Sequence, residues 1–260
     1  MKGRLTPIES RDIPLRLRHY ELSQKPEFAL EISKRIVEGK IANSIAMLAR
    51  YQRNHPEVFF DSHIERLSLL HEEVFRKRTL DSLRGVEGQA AALYFECFGS
   101  MSKSAETFIR KRRPPTDPVN ALLSFGYTLL YNEAIGVLSI SGFDPYLGFF
   151  HGINYGRCSL ALDLIEEFRH VVIDRLVITS INLGVFQVQH FEVGPEGGYY
   201  LKEEPRKRFL KEYEKFMTSK FEHGRAAERT CFRKALHEQA LKLQKSILER
   251  KDYEPFKGWR

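Results

Sequence analysis

A chain of 260 residues, 42% of them hydrophobic, is long enough to fill one large core or two small ones, which excludes a disordered tail or a minimal scaffold. No run approaches the roughly eighteen consecutive apolar residues of a membrane span, the start "MKGRLTPIESRDIP" lacks the apolar core of a signal peptide, and Cys97, Cys158 and Cys231 form no CxxC pair. A membrane protein, a disulfide framework and a zinc ribbon are therefore not expected, a cytoplasmic location is, and 41 Lys+Arg against 34 Asp+Glu suits a polyanionic partner.

In chain order, "GRLTPI" at 3–8 reads as the end of a strand. Apolar residues then recur at three and four spacing over 26–52, 57–79, 86–110, 117–140, 159–184, 204–222 and 226–250, which predicts helices. The breaks "RNHPE" at 53–57, "RRPPTDP" at 112–118, "SGFDP" at 141–145 and "HGRAAE" at 223–228 combine proline, glycine and capping residues. One stretch, "VFQVQHFEVGPEGGYYL" at 185–201, tends to alternate around a Gly-Pro-Glu-Gly-Gly turn, as a hairpin does. The expected fold is mainly α, a multi-helical domain with a small β-hairpin near 185–201.

Chemistry concentrates in two places. In "LRGVEGQAAALYF" at 83–95, Glu87 lies between Gly85 and Gly88 at the predicted start of a helix; capping explains the acid, and the flanking glycines suggest close packing against another helix. Asp144 before Pro145 predicts a short helix through Tyr146–Phe150 that ends near His151, and a glycine bend then leads to a helix from Ser159. On that second helix Asp163, Glu166 and Glu167 lie opposite the apolar side, with Asp163 and Glu166 one turn apart. A solvated acidic face and a packed histidine would account for this. An imidazole with carboxylates would equally make a mixed N/O site for Mg²⁺ or Mn²⁺.

"RGVEGQAAALYF", "GFDPYLGFFHG" and "GRCSLALDLIEEFR" resemble, in order and spacing, the signature blocks of the CRISPR-associated spacer-acquisition integrase, the first-numbered Cas family. The resemblance continues through "IVEGKIANSIAMLAR" at 36–50, "DPVNALLSFGYTLLYNE" at 117–133, "LKEEPRKRFLKEYEKFM" at 201–217 and the final "YEPF". It implies a DNA endonuclease and integrase in which Glu87, His151 and Glu166 bind a divalent ion, with Asp163 as a supporting acid. Tyr127, Tyr131 and Asn132 fall in a block that lines the family's catalytic cleft. Relatives begin with a β-rich domain that makes much of their dimer. Residues 1–20 are then expected to be its remnant or a linker, and 21–260 the α-helical catalytic metal- and DNA-binding domain.

Implied partners are double-stranded DNA, as prespacer and CRISPR repeat, a second copy of the chain, and a small ferredoxin-like Cas protein; no membrane is implied. Basic bursts at 76–78, 110–113 and 206–208, with Arg225, Arg229, Arg233 and Lys234, suit phosphate contacts, or alternatively solvated helix faces. Arg84, Arg110, Lys111, Arg112 and Arg113 are the candidate DNA contacts, a helix-start ion pair being the other reading of Arg84. Two other functions stay open: a catalytically silent DNA-binding scaffold, and a hydrolytic nuclease acting on branched or single-stranded DNA.

Overall fold

The computed structural model of the protein describes residues 12–103, 108–111, 113–223 and 228–258, so the "GRLTPI" strand and Arg112 lie outside the described residues. Local capping chemistry sets where its helices start. Asp12 accepts the amide of Leu15 and opens α1 (Ile13–Ser23), within the stretch read as remnant or linker. Pro26 opens α2 (Pro26–Asn54), and Thr79 accepts the Ser82 amide and opens α4 (Leu80–Met101) after α3 (Asp61–Glu73). Asp117 with Pro118 opens α5 (Pro118–Ile140), the carboxylate accepting the Asn120 amide at 2.8 Å.

Because the Thr79 cap takes hold several residues earlier than the apolar period indicates, Glu87 stands at the end of the second turn of α4, not in its first. The macrodipole argument for an acid there therefore falls away. The single helix predicted over 159–184 is divided. α6 (Ser159–Glu166) gives way to a π-helical turn at Arg169–Asp174 before α7 (Arg175–Asn182) resumes. Such wide turns recur beside functional sites because they re-aim the side chains that follow.

The predicted hairpin is present but smaller than its sequence window. β1 (Phe191–Val193) pairs antiparallel with β2 (Tyr199–Leu201), Glu192 opposite Tyr200, and the Tyr199 amide bonds to Pro115 O at 2.8 Å. A second hairpin stands where helix ends were predicted. After α8 (Glu203–Thr218), β3 (Lys220–His223) pairs with β4 (Glu228–Cys231) before α9 (Phe232–Glu249) begins. The cause is tertiary: Phe232 packs on both Phe221 and Phe216, at 4.4 and 5.4 Å between ring centres.

α5 has the length and composition to cross a membrane, but here it is the central strut of the bundle, with Leu122, Leu123, Leu130, Ala134 and Leu138 buried. α2 packs against α3, α4, α6 and the π-turn. Tyr253–Gly258 returns to this junction. Asn43 donates to Glu167 O and Phe256 O, accepts the Gly258 amide, and the Phe256 ring stacks on Phe168 at 4.5 Å. A Cβ on Gly39 would stand 2.6 Å from Pro255, so the tail lies directly on the α2 backbone.

Candidate metal and DNA site

α6 carries Asp163 and Glu166, Glu167 follows as its C-cap, and all three are buried. The acidic face is therefore not solvated, and each carboxylate has a different task. Asp163 accepts the amides of Phe149, Phe150 and His151, at 2.6, 3.0 and 2.8 Å, and its Oδ1 lies 2.7 Å from His151 Nδ1. Residues 141–158 therefore form a turn-rich loop gripped from within the core, not the short helix predicted from Asp144. Asp144 instead accepts the Tyr146 amide and the Tyr20 hydroxyl, and Gly156 takes a left-handed φ of 71° that leads the chain toward α6.

A carboxylate can only accept, so His151 Nδ1 donates to Asp163 and Nε2 faces the site. His151 Nε2 stands 3.8 Å from Glu166 Oε1. That same oxygen lies 3.0 Å from Arg169, at the start of the π-turn. Glu166 Oε2 is 2.6 Å from Lys40 Nζ, and Lys40 also ion-pairs with Glu87 Oε1. Burial alone would raise the Glu166 carboxyl. Arg169, Lys40 and His151 outweigh it and hold the group well below the usual carboxylate range.

Glu87 from α4, His151 from the loop and Glu166 from α6 are thus brought together. Among the described residues no three His, Cys, Asp or Glu side chains close around one point at ligand distances, and the Lys40 ammonium supplies the positive charge between the two glutamates. The donor types fit a hard divalent ion: two carboxylates and one imidazole nitrogen. Glu166 Oε2 is buried and accepts no well-angled hydrogen bond, the ammonium beside it notwithstanding, so it retains acceptor capacity for such an ion.

Gly85 and Gly88 do not mark close helix packing. A Cβ at either would meet nothing within 4 Å, and both residues are exposed. They leave the outer face of α4 bare beside Glu87.

The candidate DNA contacts divide. Arg84 bonds to Asp81 and to Phe150 O at 2.9 Å, and so braces the His151 loop. Arg110 donates to Asn120 Oδ1 at 2.6 Å and lies over the Tyr127 ring, which turns it toward α5 instead of outward. Lys111 and Arg113 are exposed, Arg113 on the rim of a 660 Å³ cavity lined by Phe125, Tyr199 and Tyr200. Arg112 lies outside the described residues. Tyr127 bonds to Asp174 and supports the Arg169 guanidinium at 4.9 Å, Tyr131 OH accepts the Cys158 amide, and Asn132 donates to Thr128 O within its own helix.

Sequence reasoning passed over Lys40 and Arg169. Arg169 stands three residues after Glu166, a spacing that pairs residues on one helical face. Lys40 carries a subtler signal: Glu38, Lys40, Asn43 and Ser44 are polar residues interleaved with buried Ile36, Val37 and Ile41, and all four are themselves buried.

A family model described as CRISPR associated protein Cas1 matches residues 1–215. The chain belongs to the Cas1 family. It is 38% identical over 254 residues to the CRISPR-associated endonuclease Cas1 3 of Thermus thermophilus, covering 97% of this chain and 74% of that one. Its fold matches a casposase bound to integration product with a TM-score of 0.86 at 23% identity, covering 98% of this chain and 70% of that one. It also matches the Cas6-RT-Cas1–Cas2 complex with a TM-score of 0.85 at 25% identity, over 100% of this chain and 28% of that one. Membership places the site described above in a family whose curated relatives are named CRISPR-associated endonucleases.

Proposed function

We propose that the chain is a divalent-metal-dependent DNA strand-transfer enzyme of CRISPR adaptation, joining the 3′-hydroxyl of an incoming fragment to a phosphodiester of the CRISPR repeat. The observation that carries this reading is that three separate elements meet at Glu166: Lys40 ties it to Glu87 through one oxygen, and His151 Nε2 stands 3.8 Å from the other. A Mg²⁺ or Mn²⁺ ion held by these three residues supplies Lewis acidity, which neutralises charge on the reacting phosphate.

The chain's own groups prepare the site. Asp163 holds His151 through Nδ1, so that Nε2 is turned toward Glu166. Arg169, seated on Tyr127, keeps Glu166 ionised. Lys40 holds Glu87 and Glu166 together against their mutual repulsion. The bare backbone at Gly85 and Gly88 leaves open space for a DNA strand beside Glu87. In the transfer a new 3′-O–P bond forms while the P–O3′ bond of the target strand breaks. The attacking hydroxyl gives up its proton and the departing oxygen gains one, so the step balances without an outside energy source. Duplex DNA as prespacer and repeat, a second copy of the chain, and a small Cas2-type partner complete the reading; the last is supported by the likeness to a Cas1–Cas2 complex.

The test is transfer of a labelled 3′-hydroxyl duplex into a supercoiled plasmid carrying a CRISPR repeat, with Mn²⁺ or with EDTA, by wild type and His151→Ala. Joined product from wild type with metal alone is the expected result. Nicking without joining would show the same site using water, as a hydrolytic nuclease. Tight binding with neither would show a DNA-binding scaffold.

A further inference from the structure

A second group of buried polar side chains gathers where the π-turn packs against Tyr94 of α4 and Tyr127 of α5. His170 and Asp174 are both buried, and His170 Nδ1 lies 2.7 Å from Asp174 Oδ2. The Tyr94 ring rests on the His170 ring, 4.0 Å between centres, and Asp174 Oδ1 accepts the Tyr127 hydroxyl. Neither His170 nor Asp174 has a place in the donor set of Glu87, His151 and Glu166.

The π-turn explains how Arg169 and Asp174, its first and last residues, reach one tyrosine. In an α-helix, at roughly 3.6 residues per turn, side chains five apart point about 140° away from each other. A π-helical turn closes its bonds from i to i+5, so residues five apart come nearly into line. Arg169 accordingly lies over the Tyr127 ring at 4.9 Å, while Asp174 holds the hydroxyl of that ring. Gly126 permits the approach: a Cβ there would stand 2.7 Å from Ile173 Cγ2, so the π-turn lies directly on the α5 backbone.

Arg169 Nε is buried without a hydrogen-bond partner among the described residues. The guanidinium therefore depends for its direction on Glu166 Oε1, at 3.0 Å, and on the ring beneath it. The Arg110 guanidinium lies over the same ring at 5.5 Å, so Tyr127 serves as a shared platform. We propose that Asp174 is a positioning residue: it fixes the Tyr127 ring, the ring aims Arg169, and Arg169 in turn holds the Glu166 carboxylate. The consequence for a bound ion rests on the proposed function; the aiming of Arg169 does not.

The full chain is unfolded by urea in EDTA as wild type, Tyr127→Phe, Glu166→Gln and the two combined, so failure of the ion-binding reading leaves this test intact. Tyr127→Phe keeps the ring and the charge and removes only the hydroxyl that Asp174 holds. Tyr213→Phe is the control, since it deletes a like bond, from the Tyr213 hydroxyl to Glu133 at 2.6 Å. A hydroxyl that serves stability alone adds its cost to that of Glu166→Gln without coupling. Separately, Mn²⁺ is titrated by calorimetry into wild type, Glu166→Gln, both tyrosine variants and Asp174→Asn.

Glu166→Gln should cost less in the Tyr127→Phe background than in wild type. The unfolding constant of that pair should depart from the product of the single effects by about fivefold or more, and the control pair should agree within about twofold. Mn²⁺ should bind about 10–100-fold more weakly to Tyr127→Phe and to Asp174→Asn, as when a group that orients a ligand is lost, and at wild-type strength to Tyr213→Phe. Additive effects of Tyr127→Phe and Glu166→Gln overturn the proposal whatever Mn²⁺ does. Wild-type Mn²⁺ affinity no better than that of Glu166→Gln would instead sink the ion-binding reading, and the unfolding cycle still decides the positioning.

Discussion

Asp163 lies inside the core, and there it fixes the orientation of His151, the one histidine of the proposed site. Its two oxygens take three amides and one imidazole, and an amide in its place offers one acceptor oxygen instead of two. Asp163→Asn should therefore lower strand transfer by about 10–100-fold, as loss of a group that orients a metal-binding histidine does, and cost roughly 2–3 kcal/mol of stability. Transfer rates and thermal melting check the two effects separately, and near-normal transfer would show that His151 does not need its orientation. Lys40 makes a prediction of the opposite kind. Its ammonium joins Glu87 to Glu166, so Lys40→Met removes the charge between the two carboxylates and leaves Glu166 with Arg169 on its far side. In EDTA that variant should melt below wild type, and Mn²⁺ should raise its melting temperature by more than it raises that of wild type. Equal metal-induced shifts would mean that the lysine does not share the ion's position.

At the scale of elements, the tail and α6 are one unit. Glu167 accepts the Tyr253 hydroxyl and the Phe256 amide, both at 2.6 Å, from inside the core. Burial pushes its carboxyl up to about 8, against the pull of those two hydrogen bonds. The folded chain therefore keeps a proton that the unfolded chain releases above its ordinary value of 4.5. This stability is fully present below 4.5 and is lost as pH rises through about 8. Melting temperature should fall across that window in wild type, and Glu167→Gln should flatten the fall; parallel profiles would remove Glu167 as its source. The long helices α2 and α5 were legible because each combines a sustained apolar period with a proline at its start, whereas the apolar period alone placed α4 too late and missed its Thr79 cap. The second hairpin was not legible, because Phe216, Phe221 and Phe232 meet only after the chain has folded. The π-turn was also hidden, since Arg169–Asp174 keeps an apolar pattern compatible with one continuous helix.

Across the whole molecule, the proposed function assigns DNA binding and chemistry to different charges, and this separates what the sequence revealed about the site from what it concealed. Glu87, His151 and Glu166 were legible through the blocks that contain them, and the structure brings them together. The partners that tune them come from distant segments: Lys40 lies 47 residues from Glu87, a pairing no local pattern encodes. Binding a divalent ion to the folded chain alone must stabilise it by linkage, by about 2.7 kcal/mol at an ion concentration one hundred times the dissociation constant. For a chain of this size that is a rise of roughly 5–10 °C in melting temperature. Glu87→Ala and Glu166→Ala should each abolish most of that rise, because each removes one of the two carboxylates proposed to hold the ion. Both should leave duplex affinity and its salt dependence near wild type, because Lys111, Arg113 and the other exposed cations are untouched. Calorimetric melting with and without Mn²⁺, paired with anisotropy in EDTA, measures both halves on one preparation. If the glutamate variants keep the full metal shift, the ion binds elsewhere and the catalytic assignment fails. If they lose DNA affinity as well, the acids organise the binding surface, and the division of labour between the charges is wrong.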